Sequence, residues 1–172
     1  MTDTPVILDV FAPGFLHLGS EKFRCALGPA GIVAKKTEGD GGTPVGTFSL
    51  RRVMYRADRV APPDTRLPIR ELTDRDGWCD DPDQPEYNQL ISLPHDARHE
   101  QLWRTDHVYD VIVEIGYNDA PPVAGKGSAV FMHVAREGYR PTEGCVALYL
   151  DDLLRVLGAC GPGSVLRVNP AQ

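Results

Sequence analysis

Short apolar runs separated by turn-forming residues fill the first part of the chain. The runs PVILDVF, FLHL and KFRCAL are interrupted by APG and GS, so the pattern predicts an opening meander of β-strands. Runs that are rich in β-forming residues predict further strands at VGTFSLRRVMY, HVYDVIVEIGY, SAVFMHV and GSVLRV. Most of the regular structure is therefore expected to be β.

Helical spacing is clear in one segment, LDDLLRVLGAC. Its leucines fall on one face of a helix: Leu150, Leu153, Leu154 and Leu157. A second, shorter helix is expected around DARHEQLW, and the Pro- and Asp-rich stretch from Ala61 to Pro94 is expected to be a long ordered loop. Together these elements predict a mainly β fold, a β-sandwich or partly closed barrel with one or two short helices, in a single domain over residues 1–172.

Composition and charge exclude several classes of function. A formal charge of −6 argues against nucleic acid or an anionic membrane as a partner, because phosphate binding requires a basic surface. No apolar stretch approaches the roughly 20 residues that span a bilayer. The N-terminus lacks a cationic start and Asp9 interrupts its apolar run, so we expect no signal peptide and a cytoplasmic location, or a periplasmic one if an export segment was removed. The four cysteines lack metal-type spacing and are expected to be reduced.

A histidine and a cysteine stand at the two ends of the segment HVAREGYRPTEGC. His133 ends a predicted strand, and Cys145 begins the next apolar run. A neighbouring imidazole raises the thiolate fraction of a thiol, and Gly144, directly before the cysteine, lets a substrate backbone come close. The pattern therefore predicts a nucleophile and its base. A buried packing cysteine beside an unrelated histidine is the alternative that spacing alone leaves open.

Two segments of the chain resemble the L,D-transpeptidase (YkuD-type) catalytic domain family. FMHVAREGYRPTEGCVAL is similar to the family's strand-borne histidine followed by a Ser/Thr-x-Gly-Cys box, and KKTEGDGGTPVGTF is similar to its TP-x-G-x-F turn. The matching residues are His133, Gly138, Thr142, Gly144 and Cys145 in the first segment and Thr43, Pro44, Gly46 and Phe48 in the second. The resemblance covers both halves of the chain in the family's order, which makes it specific.

The resemblance implies a reaction and a substrate. Cys145 would attack the bond between a diamino acid and the terminal D-alanine of a peptidoglycan tetrapeptide, with His133 as base and main-chain N–H groups at Gly144–Cys145 around the oxyanion. By analogy with the family, a backbone carbonyl orients the imidazole, and no metal or other cofactor is required. The thioester would pass to an amine (L,D-transpeptidase) or to water (L,D-carboxypeptidase). The expected cytoplasmic location favours the second, acting on soluble muropeptides in recycling, and carbapenem-type β-lactams are expected acylating inhibitors.

Substrate recognition is where the chain departs from the family pattern. Glu143 stands where many members carry histidine, and Ala147 stands where they commonly carry arginine. Arg136 or Arg140 is a candidate for the missing cation, and either is equally a solvated loop charge. The residues predicted to bind substrate are Trp78, in a segment that is either a lid or a pinned loop, Tyr117 and Asn118, at a strand end before the histidine strand, and Arg140, Thr142 and Glu143.

Two other functions are compatible with the sequence. His95 and His99 stand four apart, which on a helix places both imidazoles on one face, as in a zinc peptidase. An ordinary surface helix that walls the active-site cleft explains the same spacing. The departures at Glu143 and Ala147 also fit a non-catalytic muropeptide-binding module that has kept the fold and lost turnover.

Overall fold

Short β-strands make up most of the regular structure over residues 4–172, the part of the chain that the computed structural model describes. In chain order they are β1 (Ile7–Phe11), β2 (Phe15–Leu18), β3 (Glu21–Arg24), β4 (Ile32–Val33), β5 (Thr43–Pro44), β6 (Gly46–Tyr55), β7 (Ile69–Glu71), β8 (Asp76–Cys79), β9 (Leu90–Ser92), β10 (His99–Gln101), β11 (Val111–Ile115), β12 (Phe131–Val134), β13 (Val146–Leu148) and β14 (Val165–Val168). Helix α1 (Leu150–Ala159) lies between β13 and β14, and a 3-10 turn (Glu137–Tyr139) lies between β12 and β13.

One large sheet organises the molecule, in the order β13-β12-β11-β6-β14-β1-β2-β3. Strand β6 joins its two parts, because the first half of β6 pairs with β14 and the second half pairs with β11. The two ends of the sheet also meet: the backbones of Ala26 and Ala147 exchange two hydrogen bonds, of 2.8 and 3.0 Å. The sheet therefore curls into a nearly closed barrel, which confirms the predicted mainly β fold.

The two faces of this sheet carry separate apolar cores. On one face, residues such as Val113 and Met132 pack with Leu157 of α1. Their neighbours along the same strands, Ile112 and Phe131, point to the opposite face, because side chains alternate along a strand. The chain between β7 and β11 packs on this second face, where it forms a small sheet in the order β10-β8-β9. We call this part of the chain the excursion.

The chain from β7 to β10 differs from the sequence-based expectation in two ways. The stretch from Ala61 to Pro94 contains β7, β8 and β9 rather than one long loop. The helix predicted around DARHEQLW is wrong, because His99–Gln101 forms β10 and pairs with Gly77–Cys79 of β8. A segment this short is below the roughly 12 residues at which an isolated helix becomes stable, and pairing with a buried strand satisfies its backbone instead.

The helix predicted at LDDLLRVLGAC is confirmed as α1. Leu153, Val156 and Leu157 are buried, and Leu150 and Leu154 pack against the same core. Among residues 4–172, no helix has both the length and the apolar character that crossing a membrane requires.

Backbone packs directly on backbone where the barrel closes. A Cβ added to Gly28 would lie 2.1 Å from the Gly41 carbonyl oxygen and 3.0 Å from the Cα of Gly144. The Gly28 N–H donates to Oγ1 of Thr43 at 3.0 Å, so this contact also involves the TP-x-G-x-F segment. A side chain at position 28 therefore requires the backbone beside the Gly-Cys pair to move.

We predict that Gly28→Ala lowers the free energy of unfolding by about 1–3 kcal/mol, the usual cost of forcing atoms into a packed site. For a chain of this length each kcal/mol corresponds to a fall in Tm of about 2–4 °C. Urea unfolding followed by circular dichroism measures the change. Gly158→Ala in α1 is the matched control, because its added methyl group meets nothing nearer than 3.7 Å and alanine is the better helix former. Equal stability of wild type and Gly28→Ala would contradict this packing.

Candidate active site

Strands β12 and β13 place the predicted nucleophile and base on one face of the sheet. The two strands are parallel, with Met132 opposite Val146 and His133 opposite Ala147. Because side chains alternate, Cys145, two residues before Ala147, projects from the same face as His133. Both residues line a cavity of about 570 Å³. The structure therefore brings together the two ends of HVAREGYRPTEGC.

A backbone carbonyl holds the imidazole of His133. Its Nδ1 lies 2.9 Å from the Val134 carbonyl oxygen. Since a carbonyl oxygen only accepts, Nδ1 carries the proton and Nε2 is the basic nitrogen. The ring of Tyr109 packs edge-on against the imidazole, with centroids 5.4 Å apart. Burial lowers the pKa of His133 to about 4, so the imidazole is neutral at pH 7.

Two backbone groups fix the sulfur of Cys145. The Phe131 N–H donates to Sγ at 3.3 Å, and Sγ donates to the Ala129 carbonyl oxygen at 3.2 Å. The side chain is only 6% exposed, and burial raises the pKa of the thiol to about 12, with the charges of Glu100 and Glu143 adding to the rise. The resting thiol is therefore protonated. Attack on a substrate requires this proton to leave as the new bond to sulfur forms.

Thr142 shapes the turn that leads into Cys145. Its Oγ1 donates to the Cys145 carbonyl oxygen at 2.8 Å and accepts the Gly144 N–H at 3.0 Å. Gly144 has a φ of +133°, and a Cβ there would lie 2.6 Å from the Gly42 carbonyl oxygen, so the position requires glycine. The Gly144 N–H is thus occupied, whereas no contact in the described part of the chain uses the Cys145 N–H. The N–H of Cys145 is the main-chain donor left for an oxyanion.

The structure separates the residues predicted to bind substrate into two groups. Thr142 and Glu143 line the cavity, although the Thr142 hydroxyl is used within the turn. Trp78 is buried away from the cavity, where its Nε1–H donates to Asn88 at 3.0 Å and its ring packs edge-on against Phe131. Trp78 therefore pins the excursion to the sheet in this structure.

The remaining predicted residues, Tyr117, Asn118 and Arg140, are not among the residues that line the cavity. Tyr117 donates its hydroxyl to the Lys126 carbonyl oxygen, and the Asn118 amide bonds to the backbone of the same loop, which precedes β12. Arg140 is exposed and outside the cavity lining, whereas Arg136 lines the cavity. Of the two cations considered in place of the family's arginine, Arg136 is the better placed. The substrate-binding roles of these residues stay predictions.

The excursion supplies part of the wall of the cavity that Cys145 and His133 line. His99, Glu100, Arg104 and Tyr109 line it, in agreement with the expectation that this segment walls the cleft. Glu100 accepts the Tyr109 hydroxyl at 2.6 Å, and burial raises the pKa of its carboxyl group to about 7. Sequence analysis missed Glu100, Tyr109 and Lys36, another lining residue. No motif marks them. The pairing of β10 with β8 places Glu100 at the cavity, and Tyr109 lies in the turn directly before β11.

The histidines of the zinc interpretation do not form a helical pair. His95 Nδ1 accepts the Ala97 N–H at 3.1 Å, and His99 Nδ1 lies 2.7 Å from the Ala97 carbonyl oxygen. Within residues 4–172 no group of three or more His, Cys, Asp or Glu is arranged to hold a metal ion. The helical spacing that suggested zinc is absent because this segment is a strand.

The other cysteines lie in apolar surroundings away from the cavity. Cys25, Cys79 and Cys160 are buried free thiols, and none is among the residues that line the cavity. Burial raises the pKa of Cys25 to about 12 and that of Cys160 to about 11. Cys145 is therefore the thiol that this structure presents to a substrate.

Comparison with known protein families shows which family the chain matches. Residues 18–168 match the family described as the L,D-transpeptidase catalytic domain (YkuD). No curated protein and no solved structure matches the chain. Since the family match covers most of the chain, including the strands that place His133 and Cys145 at the cavity, the chain belongs to the L,D-transpeptidase catalytic domain family.

Proposed function

We propose that this chain transfers the acyl group of a peptidoglycan tetrapeptide stem through a thioester on Cys145. The family carries out L,D-transpeptidase-type acyl transfer with a catalytic cysteine, and it acts on peptidoglycan stem peptides. The observation that supports the proposal for this chain is the shared face of His133 and Cys145 at one cavity. The Val134 carbonyl supports it further, because it leaves Nε2 of His133 as the base.

The first half-reaction forms the thioester. Sγ of Cys145 adds to the carbonyl carbon of the diamino acid while the thiol proton passes to Nε2 of His133. The Cys145 N–H donates to the oxyanion of the tetrahedral intermediate. The imidazolium then protonates the amine of D-alanine as the C–N bond breaks. This transfer is favourable because burial disfavours the charged imidazolium, as the lowered pKa of His133 indicates.

The second half-reaction depends on the acceptor. An amine from another stem attacks the thioester carbonyl and gives its proton to His133. The C–S bond breaks, the imidazolium returns the proton to Sγ of Cys145, and the new amide is the cross-link of the L,D-transpeptidase outcome. Water in place of the amine gives a tripeptide, which is the L,D-carboxypeptidase outcome. We propose transpeptidation first, because the family activity is of that type. Carboxypeptidase activity in the cytoplasm, on muropeptides for recycling, is the second proposal.

Mass analysis of products from a disaccharide tetrapeptide tests both outcomes. We expect release of D-alanine together with a cross-linked dimer, whereas tripeptide alone would assign the chain as a carboxypeptidase.

Turnover is expected to fall by more than about 10³-fold in Cys145→Ala and in His133→Ala, because the two groups act as one unit. Cys79→Ala is the matched control, since it removes a buried thiol outside the cavity. Turnover that survives Cys145→Ala, or that EDTA removes, would contradict thioester chemistry.

Exposure to a carbapenem distinguishes an enzyme from a binding module without turnover. Members of the family are acylated by carbapenems, so we expect the intact mass to rise by one inhibitor and the adduct to map to Cys145. The same treatment of Cys145→Ala should leave the mass unchanged. A wild-type thiol that stays unmodified under conditions that acylate an active family member would favour the binding module.

The pH dependence of alkylation tests the charge state of the resting site. With a thiol pKa of about 12 and an imidazole pKa of about 4, both groups are neutral at pH 7. The thiolate fraction, and with it the rate of iodoacetamide alkylation of Cys145, should rise about tenfold per pH unit and stay below that of a free cysteine with a pKa of about 8.5. Peptide mass analysis follows Cys145 separately from the other thiols. A rate plateau between pH 5 and 8 would instead indicate a thiolate–imidazolium pair.

A further inference from the structure

One buried amide joins the excursion to the segment that contacts the nucleophile. Asn88 is 5% exposed and has a φ of +57°. Its Oδ1 accepts the Trp78 Nε1–H and the Ala129 N–H, each at 3.0 Å. Its Nδ2 donates to the carbonyl oxygens of Tyr117, at 3.0 Å, and Asn118, at 2.8 Å. All the hydrogen-bonding groups of the side chain are therefore used, and they connect three separate segments of the chain.

Ala129 is held in a conformation that a residue with a Cβ rarely adopts. Its φ is +51°, in the left-handed region. Its N–H is the group that Asn88 accepts, and its carbonyl oxygen is the group that accepts the thiol of Cys145. Two residues later, the Phe131 N–H donates to the same sulfur. The strained backbone therefore lies between the Asn88 amide and both contacts of the sulfur.

We propose that Asn88 is a positioning residue that sets the orientation and reactivity of Cys145 through Ala129. Asn88 does not line the cavity, so it acts on the thiol through the backbone of residues 129–131. Without the amide, nothing in the described contacts replaces the acceptor of the Ala129 N–H. The backbone then relaxes toward negative φ, which moves the Ala129 carbonyl and the Phe131 N–H away from the sulfur. Because an N–H donor stabilises a thiolate, its withdrawal makes Cys145 less reactive.

Asn88→Gly is the variant that separates the amide from the local backbone. Glycine accepts a φ of +57°, so the chain at position 88 keeps its conformation while the side-chain bonds are lost. We expect kcat on the tetrapeptide to fall about tenfold or more, with KM changed by less than about twofold, because the loss concerns the geometry of attack and not the binding of substrate. Circular dichroism and thermal unfolding establish how much of each variant is folded, and rates are expressed per folded protein.

The matched control removes a different amide. Asn169 donates to the Asp9 carboxylate and to the Val10 carbonyl oxygen, both at 3.1 Å, beyond the end of β14 and outside the cavity lining. Asn169→Gly is expected to leave kcat within about twofold of wild type, even where it lowers Tm.

Rescue distinguishes positioning from a purely structural role. In the double variant Asn88→Gly with Ala129→Gly, residue 129 adopts positive φ without needing the amide, so part of the lost kcat should return, about threefold or more. A structural role would not predict this recovery, because the second substitution restores none of the bonds to Trp78 and Tyr117. A folded Asn88→Gly with wild-type kcat, or a loss that the double variant leaves unchanged, would overturn the proposal.

The inference rests on the proposed role of Cys145 as nucleophile, and one measurement needs no peptidoglycan substrate. Alkylation of Cys145 by iodoacetamide at pH 9 should be about threefold or more slower in Asn88→Gly than in wild type, and the double variant should return toward the wild-type rate. Absence of tetrapeptide turnover by wild type would count against the proposed function, whereas unchanged or faster alkylation in Asn88→Gly would count against the role of Asn88.

A second variant covers the case in which Asn88→Gly does not fold. Asn88→Asp keeps an oxygen acceptor for the Ala129 N–H, and it replaces the donating Nδ2 with a carboxyl oxygen that faces the carbonyl oxygens of Tyr117 and Asn118. It should therefore alkylate at a rate within about twofold of wild type. A folded Asn88→Asp with a rate several times slower would show that the acceptor contact to Ala129 does not control the thiol, and would overturn the proposal.

Discussion

The parallel pairing of β12 with β13 is the interaction on which the active site depends. Its register places the imidazole of His133 and the sulfur of Cys145 on one face, and a slip by one residue would turn Cys145 to the opposite face. The same strand β13 closes the barrel, through the backbone bonds between Ala26 and Ala147. The closure of the fold and the alignment of Cys145 with His133 therefore depend on the same strand, β13.

Burial around this pair determines how its chemistry starts. Burial raises the pKa of Cys145 and lowers that of His133. The resting site therefore holds a neutral thiol and a neutral imidazole, not a thiolate–imidazolium ion pair. In the proposed mechanism the charges appear only when substrate is attacked. The Val134 carbonyl fixes the tautomer of the imidazole, and the Cys145 N–H is the donor proposed for the oxyanion. Electrostatic contacts of this kind are strongest where water is excluded.

The two departures from the family pattern have different structural consequences. Ala147 is fully buried in the strand that closes the barrel, so position 147 supplies no cation to the cavity. Glu143 is exposed on the cavity lining, where its charge raises the pKa of Cys145. The cations that do line the cavity are Arg104 of the excursion, Arg136 and Lys36. The positive charge that lines the cavity therefore comes from parts of the fold outside the Gly-Cys box.

The sequence alone determined the elements whose signal is local. Hydrophobic periodicity was enough to predict the long strands and α1. A contiguous motif was enough to single out His133, Thr142 and Cys145, which the structure brings to one cavity, because neighbours in the chain carry that information. The buried strand Asp76–Cys79 has no β-strand pattern, and the segment read as a helix became β10 because β8 pairs with it. Contacts between distant segments bring Glu100 to the cavity and connect Asn88 to the backbone beside Cys145. Only the tertiary structure revealed the positions of these two residues. A hydrogen bond between residues far apart in sequence produces no periodic pattern in the sequence around either residue.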